Sequence, residues 1–279
     1  MNAKVIGSYD QLLEIVEREH IDKIVVALVD RRSTLPVQAL LACKQRGIEV
    51  EESTTFFEKL CGSIMLENLR PSWLIFSPGF AVPSLLRLRK RAMDLALATL
   101  GLTLACPLMA LLAVLIKLDS RGPALYTQER VGEKGKHFTL LKFRSMYVGA
   151  EAATGPVFAD AHDDRITRIG RFLRSARLDE LPQLINVLRS DMSFVGPRPE
   201  RPFFVEQYEK EIPFYDQRLN TKPGITGWAQ VRYPYGSTLQ DAEEKLRFDL
   251  FYVKNMSILF DGFIMLKTLK IIVLGCGAR

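Results

Sequence analysis

From Val5 to about Phe76 the apolar positions switch between helical and strand periods. Tyr9 to Arg18 is charged and amphipathic, the run IDKIVVALVD (Ile21 to Asp30) is β-rich, Pro36 to Arg46 returns to helical spacing, and Ile48 to Glu51 is a short second apolar run. That α-β-α-β order predicts a piece of parallel sheet with crossover helices. Neither strand is followed by a glycine-rich phosphate loop, so a working dinucleotide site is not expected, and the segment reads as a small accessory or docking domain. Pro71, Pro78 and Pro83, the middle one inside a Ser77-Pro78-Gly79 turn signal, mark a linker with the domain boundary near Phe80. The expected domains are residues 1–80 and 81–279.

The pattern then loses its polar half. Leu95 to Ile116 is a run of 22 residues without a charge, which as a helix is about 33 Å long, enough for a bilayer core of about 30 Å. Pro107 sits in its middle, where proline removes a helical hydrogen bond. Both flanks are basic, with Arg87, Arg89, Lys90 and Arg91 before and Lys117, Arg121, Arg130, Lys134 and Lys136 after, whereas a spanning helix puts its positive residues on one side. A helix broken at Cys106-Pro107 that enters and leaves on one face satisfies both facts. The competing reading is a buried core helix of a soluble protein.

Alternation in His137 to Phe143 predicts a strand leading to Lys142 and Arg144, basic residues placed to meet a phosphate or simply to sit against lipid headgroups. Arginines recur every three residues at Arg168, Arg171, Arg174 and Arg177, a stripe along a helix. Leu178, Leu181, Ile185 and Leu188 then repeat at helical spacing. Asp179 and Glu180 therefore stand at the start of a new helix, a placement that Pro182 supports because proline is tolerated in a first turn. Alone, the acid pair reads as an N-cap and a first-turn acid. Its company changes the picture: Gly196, Arg198 and Arg201 lie in the proline-stiffened loop Ser193 to Pro202, where an arginine loses little entropy on holding a phosphate. Toward the end, Leu239 to Val253 is amphipathic, and Met256 to Leu274 is apolar with Asp261, Lys267 and Lys270 interrupting, which suits a helix lying in the membrane interface. Gly224, Gly227 and Trp228 suggest a loop at the site, with an interfacial anchor as the plainer reading of Trp228.

Composition narrows the partner without choosing it. The 279-residue chain is 48% hydrophobic with a net charge of +6, which excludes a disordered protein and implies an anionic partner: nucleic acid, an acidic membrane surface or a phosphorylated substrate. The four cysteines, Cys43, Cys61, Cys106 and Cys276, form no CxxC pair, so neither a zinc site nor a disulfide framework is signalled, and reduced cytosolic thiols are expected. The N-terminus lacks the pattern of a cleavable signal peptide.

The segments KRAMDLALATLGLTLACPLMALLAVLIKLDSRGPALYTQERVG, LLKFRSM, RIGRFLRSARLDELPQLINVL, DMSFVGPRPE and KPGITGWAQV, in that order, resemble the bacterial sugar transferase family from about Lys90 to the C-terminus. These are monotopic polyprenyl-phosphate phosphoglycosyl transferases that start assembly of exopolysaccharide, O-antigen or glycoprotein glycans. The resemblance implies an α/β chain: a partial Rossmann-like, CoA-binding-like N-terminal domain, then an α+β monotopic membrane domain with a re-entrant helix at about residues 92–118 and interfacial amphipathic helices. It implies that Asp179 attacks the β-phosphate of a UDP-sugar, releasing UMP, and that polyprenyl phosphate then takes the phosphosugar from the aspartate. Mg²⁺ held with help from Glu180, together with arginines, would neutralise the like charge that the carboxylate meets. Arg198 is the first choice for phosphate contact, followed by Lys142, Arg144 and Arg174, while Asp191 takes a structural place. The implied setting is the cytoplasmic face of a bacterial inner membrane, with UDP-sugar, polyprenyl phosphate and membrane lipid as partners, no nucleic acid, and room for a homo-oligomer. Cys106 stands where serine is usual before the proline, and Ser190 replaces a usual glycine. No motif reads the hexose; glucose and galactose are the usual sugars of longer members.

Overall fold

The computed structural model describes residues 5–28, 35–67, 69, 71–77, 79–150, 155, 163–234, 236 and 238–274. Asp30, Arg70, Pro78 and Cys276 lie outside the described residues. The chain divides into two compact units, Met1–Asn68 and Leu69–Arg279.

The first unit follows the expected order. A 3-10 turn (Tyr9–Gln11) leads into α1 (Leu12–Arg18), then come β1 (Lys23–Val26), α2 (Val37–Gln45), β2 (Glu49–Glu52) and α3 (Ser53–Cys61). The strands pair in parallel from Lys23↔Glu49 to Val26↔Glu52, because the α2 crossover returns the chain to the same end. Ile15, Val16 and Cys43 are buried. Lys23 pairs with Glu49 at 3.0 Å and Glu51 at 3.2 Å across the strands, offsetting charge on a strand whose residues are mostly acidic.

The second unit opens with α4 (Pro71–Phe76) and the 36-residue α5 (Ser84–Asp119), which runs as one helix through Pro107, so the break expected at Cys106-Pro107 does not interrupt it. The hairpin β3 (Leu125–Val131) and β4 (His137–Phe143) follows, then α6 (Arg168–Ser175) and α7 (Gln183–Arg189). Next are β5 (Ser193–Val195), α8 (Pro202–Glu211), β6 (Gly224–Thr226) and α9 (Trp228–Arg232). Two longer helices, α10 (Leu239–Lys254) and α11 (Ile258–Val273), complete it. The strand expected at His137 to Phe143 forms as read, paired antiparallel with Leu125↔Phe143 and Val131↔His137 at its ends. Thr238 and Asp241 form a capping box at the start of α10, which fixes where that helix begins.

Helix α5 organises this unit. One face, Lys90, Asp94, Ala98, Leu112 and Ile116, is buried, while Leu100, Leu104, Leu108, Leu111 and Val114 on the other faces are exposed. Its most apolar stretch has a mean hydropathy of 2.3, yet only 11% of it is buried. A soluble core helix of that composition would be largely covered, so the core-helix alternative fails, and the outer surface of α5 suits lipid. Both ends of the helix are tied to the same unit. Near the start, Lys90 Nζ donates to Asp261 (2.5 Å), Val195 O (2.9 Å) and Tyr252 Oη (3.0 Å). Asp94 accepts from Ser193 Oγ and Phe194 N, both at 3.0 Å. At the far end Asp119 accepts from Ile169 N (3.1 Å), and Arg144 Nη2 donates to Ile116 O (3.2 Å) and Ser120 O (2.7 Å).

Trp228 departs from both readings of it. It begins α9 and is buried in a cluster with Val195, Tyr252 and Ile264, its ring 5.2 Å from that of Phe260. The apolar side of α11 folds back on it, so the indole is a core group and not a surface anchor.

Ser190 ends α7 at φ +74°, a left-handed conformation that glycine adopts without cost. Its hydroxyl accepts from Lys222 Nζ, a contact glycine cannot make. Ser190→Ala keeps the backbone cost and loses that contact, so it should be less stable than Ser190→Gly by about 1 kcal/mol, read as urea midpoints of the two variants in one detergent. Equal midpoints would show that the left-handed turn carries no penalty here.

Candidate active site

Three pieces of chain meet at the acid pair. The first is the turn out of α6. Thr167 caps that helix by accepting from Gly170 N at 2.9 Å, and a Cβ on Gly170 would stand 2.0 Å from Ser145 O. Only glycine lets α6 approach the end of β4 this closely. Arg177 then takes a left-handed φ of +54°, and Leu178–Glu180 form a 3-10 turn before Pro182 caps α7. Asp179 and Glu180 thus precede a helix start, as expected from Pro182.

The second piece is β4. Asn186, fully buried on α7, accepts from Leu141 N (3.0 Å) and donates to Thr139 O (2.8 Å) and Asp191 Oδ2 (3.2 Å). It stitches α7 to the strand edge, and the next residue along the strand, Lys142, then reaches Glu180 Oε1 at 3.3 Å. Asp191, given a structural place above, is thus a partner of Asn186.

The third piece is the Pro197-Arg198-Pro199 loop between β5 and α8. Its base is a glycine crossing: a Cβ on Gly224 would lie 2.1 Å from Gly196 N, and one on Gly227 would lie 2.2 Å from Gly196 O. From this loop Arg198 Nη2 donates to the same Glu180 oxygen at 3.0 Å.

Glu180 is therefore a largely covered carboxylate, 13% exposed, gripped by two cations. Burial alone would raise its pKa, but Lys142 and Arg198 outweigh that and hold it well below the usual carboxylate range. Asp179, half-buried beside it, moves the other way: desolvation pushes it up, and the Glu180 charge adds to the push against Lys142, Arg174 and Arg198. Burial likewise brings the Lys142 ammonium down, opposed by Glu180. Two neighbouring carboxylates thus differ in character. Glu180 stays an anion and anchors cations; Asp179 is the more basic of the two carboxylates.

The structure brings together Asp179, Glu180, Lys142, Arg198 and, through its charge, Arg174. It does not bring Arg144 to them. That guanidinium is buried and fastens the C-terminal end of α5 through Ile116 and Ser120; regular alternation would have put it on the Lys142 face, but β4 ends at Phe143 and the chain turns away there. Sequence reasoning missed Asn186, and it also missed Arg218, whose bonds are to Asp249 and to the Arg198 carbonyl. A signal for the latter existed: Ala242, Leu246, Leu250 and Val253 form the buried stripe of α10, and Asp249 falls on it. A charge on a core stripe demands a partner.

The bacterial sugar transferase model matches residues 85–275, and the chain belongs to that family. It is 42% identical over 241 residues to the UDP-N-acetylgalactosamine-undecaprenyl-phosphate N-acetylgalactosaminephosphotransferase of Aeromonas hydrophila, covering 86% of this chain and 56% of that protein. Two UDP-glucose:undecaprenyl-phosphate glucose-1-phosphate transferases are also similar. That of Caulobacter vibrioides (strain ATCC 19089 / CIP 103742 / CB 15) is 44% identical over 70% of this chain and 74% of its own length. That of Escherichia coli (strain K12) is 46% identical over 63% of this chain and 38% of its own length. The chain thus spans about half the length of the Aeromonas relative.

Carbon-13 NMR of the side-chain carboxyls should show Asp179 titrating above the ordinary aspartate value of 3.8 and Glu180 below the ordinary glutamate value of 4.5. Lys142 lowers both, so Lys142→Met should move both titrations to higher pH. Unmoved curves would mean that the ammonium does not act on the pair.

Proposed function

We propose that this chain transfers a sugar-1-phosphate from a UDP-sugar to undecaprenyl phosphate in two displacements at Asp179. The observation that carries this reading is the paired environment of the two carboxylates: Glu180 held ionised by Lys142 and Arg198, and Asp179 raised beside it. In the first displacement an Asp179 oxygen bonds to the β-phosphorus of the UDP-sugar. The bond from that phosphorus to the bridging oxygen breaks, and UMP leaves with the electron pair. In the second, an oxygen of the lipid phosphate attacks the same phosphorus, the aspartyl–phosphorus bond breaks, and Asp179 is restored as a carboxylate. Arg198, Lys142 and Arg174 offset the negative charge that a carboxylate meets on approaching a diphosphate.

The donor set fits Mg²⁺. Among the described residues no three His, Cys, Asp or Glu side chains gather into a cage, and Mg²⁺ is ordinarily held by one or two carboxylates together with substrate phosphates. Glu180, with Asp179 beside it, would hold the ion, which when bound supplies charge neutralisation at the diphosphate.

The relatives' names pair undecaprenyl phosphate with two different sugars, N-acetylgalactosamine and glucose. The UDP-sugar class is therefore the reading, with the hexose set by a panel of donors. The exposed apolar surface supports a membrane seat, and the proposed UDP-sugar substrate is the reason to put it on the cytoplasmic face of the inner membrane. A course for α5 that enters and leaves on one side is supported by the bonds that tie Lys90 and Asp94 near its start and Asp119 at its end to the unit that carries the carboxylates. Leu259, Phe263, Leu266 and Leu269 of α11 are exposed along one side, as befits a helix lying in the interface. The first unit, Met1–Asn68, is read as an accessory, Rossmann-like domain, shorter than the expected 1–80, and the second, Leu69–Arg279, as the catalytic one.

Purified chain with Mg²⁺, undecaprenyl phosphate and a panel of UDP-sugars should release UMP with at least one donor, and Asp179→Asn should cut release by at least about 10³-fold. Full activity in the Asn variant would remove Asp179 as nucleophile. A lipid-binding scaffold of the same charge would release no UMP with any donor. For the helix, Leu85→Cys and Leu118→Cys, both exposed positions, should react with an impermeant thiol reagent from the same side of sealed vesicles. Labelling from opposite sides would mean a simple span.

A further inference from the structure

We propose that Arg218 is a positioning residue that sets where the Arg198 guanidinium stands, acting through the Arg198 main-chain carbonyl; this rests on the reading of Arg198 as a phosphate contact. Three consecutive carbonyls of the loop are each held by a different part of the chain. Pro197 O accepts from Gly224 N at 2.9 Å, Arg198 O from Arg218 Nη2 at 2.9 Å, and Pro199 O from Arg130 Nη1 at 2.9 Å. Pro197 and Pro199 contribute no N–H, and a residue before proline is confined to extended backbone. The loop is therefore fixed by its carbonyls.

The middle hold is the stiffest. Arg218 is 4% exposed, in the 3-10 stretch Tyr215–Asn220. Its Nε donates to Asp249 Oδ2 at 2.9 Å and its Nη1 to Tyr215 Oη at 2.9 Å, while Nη2 lies 2.7 Å from Asp249 Oδ2. Asp249 and Tyr215 are themselves buried, at 1% and 3% exposure. A planar guanidinium with partners on three sides has no freedom left to rotate. Buried ion pairs contribute little net stability compared with apolar residues of the same shape, and their best-attested use is to fix geometry. Here the geometry fixed is the distance from α10 to the carbonyl of the residue that reaches Glu180. Lysine cannot reproduce it, because one ammonium does not present the planar fork.

The test uses the full chain in nanodiscs and has two arms. Nitrogen-15 NMR of arginine side chains reports on the Arg198 guanidinium without turnover, and Glu180→Gln supplies the reference signal for an Arg198 loosened from its carboxylate. In Arg218→Lys the Arg198 signal should move toward that reference. Tyr215→Phe, which removes one side of the fork and keeps the ring, should move it in the same direction by less, and stands in if Arg218→Lys does not fold. An Arg198 signal unchanged in a folded variant overturns the proposal, whatever the enzyme assay gives. In the second arm, Arg218→Lys should lower UMP release by about 10²-fold, as a small misplacement does. The same substitution should have little further effect when Arg198 is already alanine. An equal loss in both backgrounds would assign Arg218 a general structural role and overturn the positioning one. Absence of UMP release in the unmodified chain would refute the transferase reading alone, with the NMR arm still deciding this one.

Discussion

Two adjacent carboxylates cannot both be desolvated and ionised unless cations are delivered to them, and this electrostatic requirement shapes the catalytic unit. An uncompensated buried charge costs about 3–5 kcal/mol. Lys142 reaches Glu180 from the hairpin and Arg198 reaches it from the proline loop. Each of those elements is in turn anchored by a buried polar group: Asn186 for the strand, Arg218 for the loop. The glycines make the close approaches possible, and α6 is seated on the end of β4 by one of them. The left-handed Arg177 and the prolines around Arg198 thus lie beside the acid pair, where positive charge is delivered to Glu180 and Asp179 is left the more basic carboxylate.

The same logic of buried charge anchors α5. Lys90 and Asp94 lie on its inner stripe at helical spacing with Ala98, and each meets partners on another element: Asp261 and Tyr252 for the lysine, the start of β5 for the aspartate. Asp261 looked like an interruption in an apolar helix; it is the acceptor for a lysine 171 residues away in sequence. The apolar helix and the carboxylate site are therefore one packed body, which explains why the family's apolar segment and its acid pair occur within one matched stretch.

Much of this was legible in the chain. Strand β4, helices α2 and α10 and the helix start beside Asp179 follow from periodicity and capping, because they are local in sequence. Asp179, Glu180, Lys142 and Arg198 were singled out by residue type and by resemblance, and they do converge. What was not legible depends on pairs distant in sequence. Arg144 and Lys142 look alike at a strand end, and only the fold shows that one turns to Glu180 and the other to the end of α5. Trp228 looked like an anchor because an aromatic beside glycines carries no sign of what covers it, and α11 supplies that cover. Asn186 is a polar residue in an otherwise ordinary amphipathic run. Asp249 could have been found, since a carboxylate in register with Ala242, Leu246 and Val253 has no reason to face a core without a cation.

The glycine crossing beneath the proline loop has a further consequence. With Gly196 and Gly224 backbone to backbone, and Gly227 closing on Gly196 from the other side, the loop carrying Arg198 and the loop entering α9 have no slack between them and move only as one piece. The main chain that carries Arg198 is consequently braced against the entry to α9 and not hinged away from it. It is part of a braced wall on one side of the acid pair. A prebuilt surface selects by fit, so any adjustment at the acid pair has to come from its opposite rim.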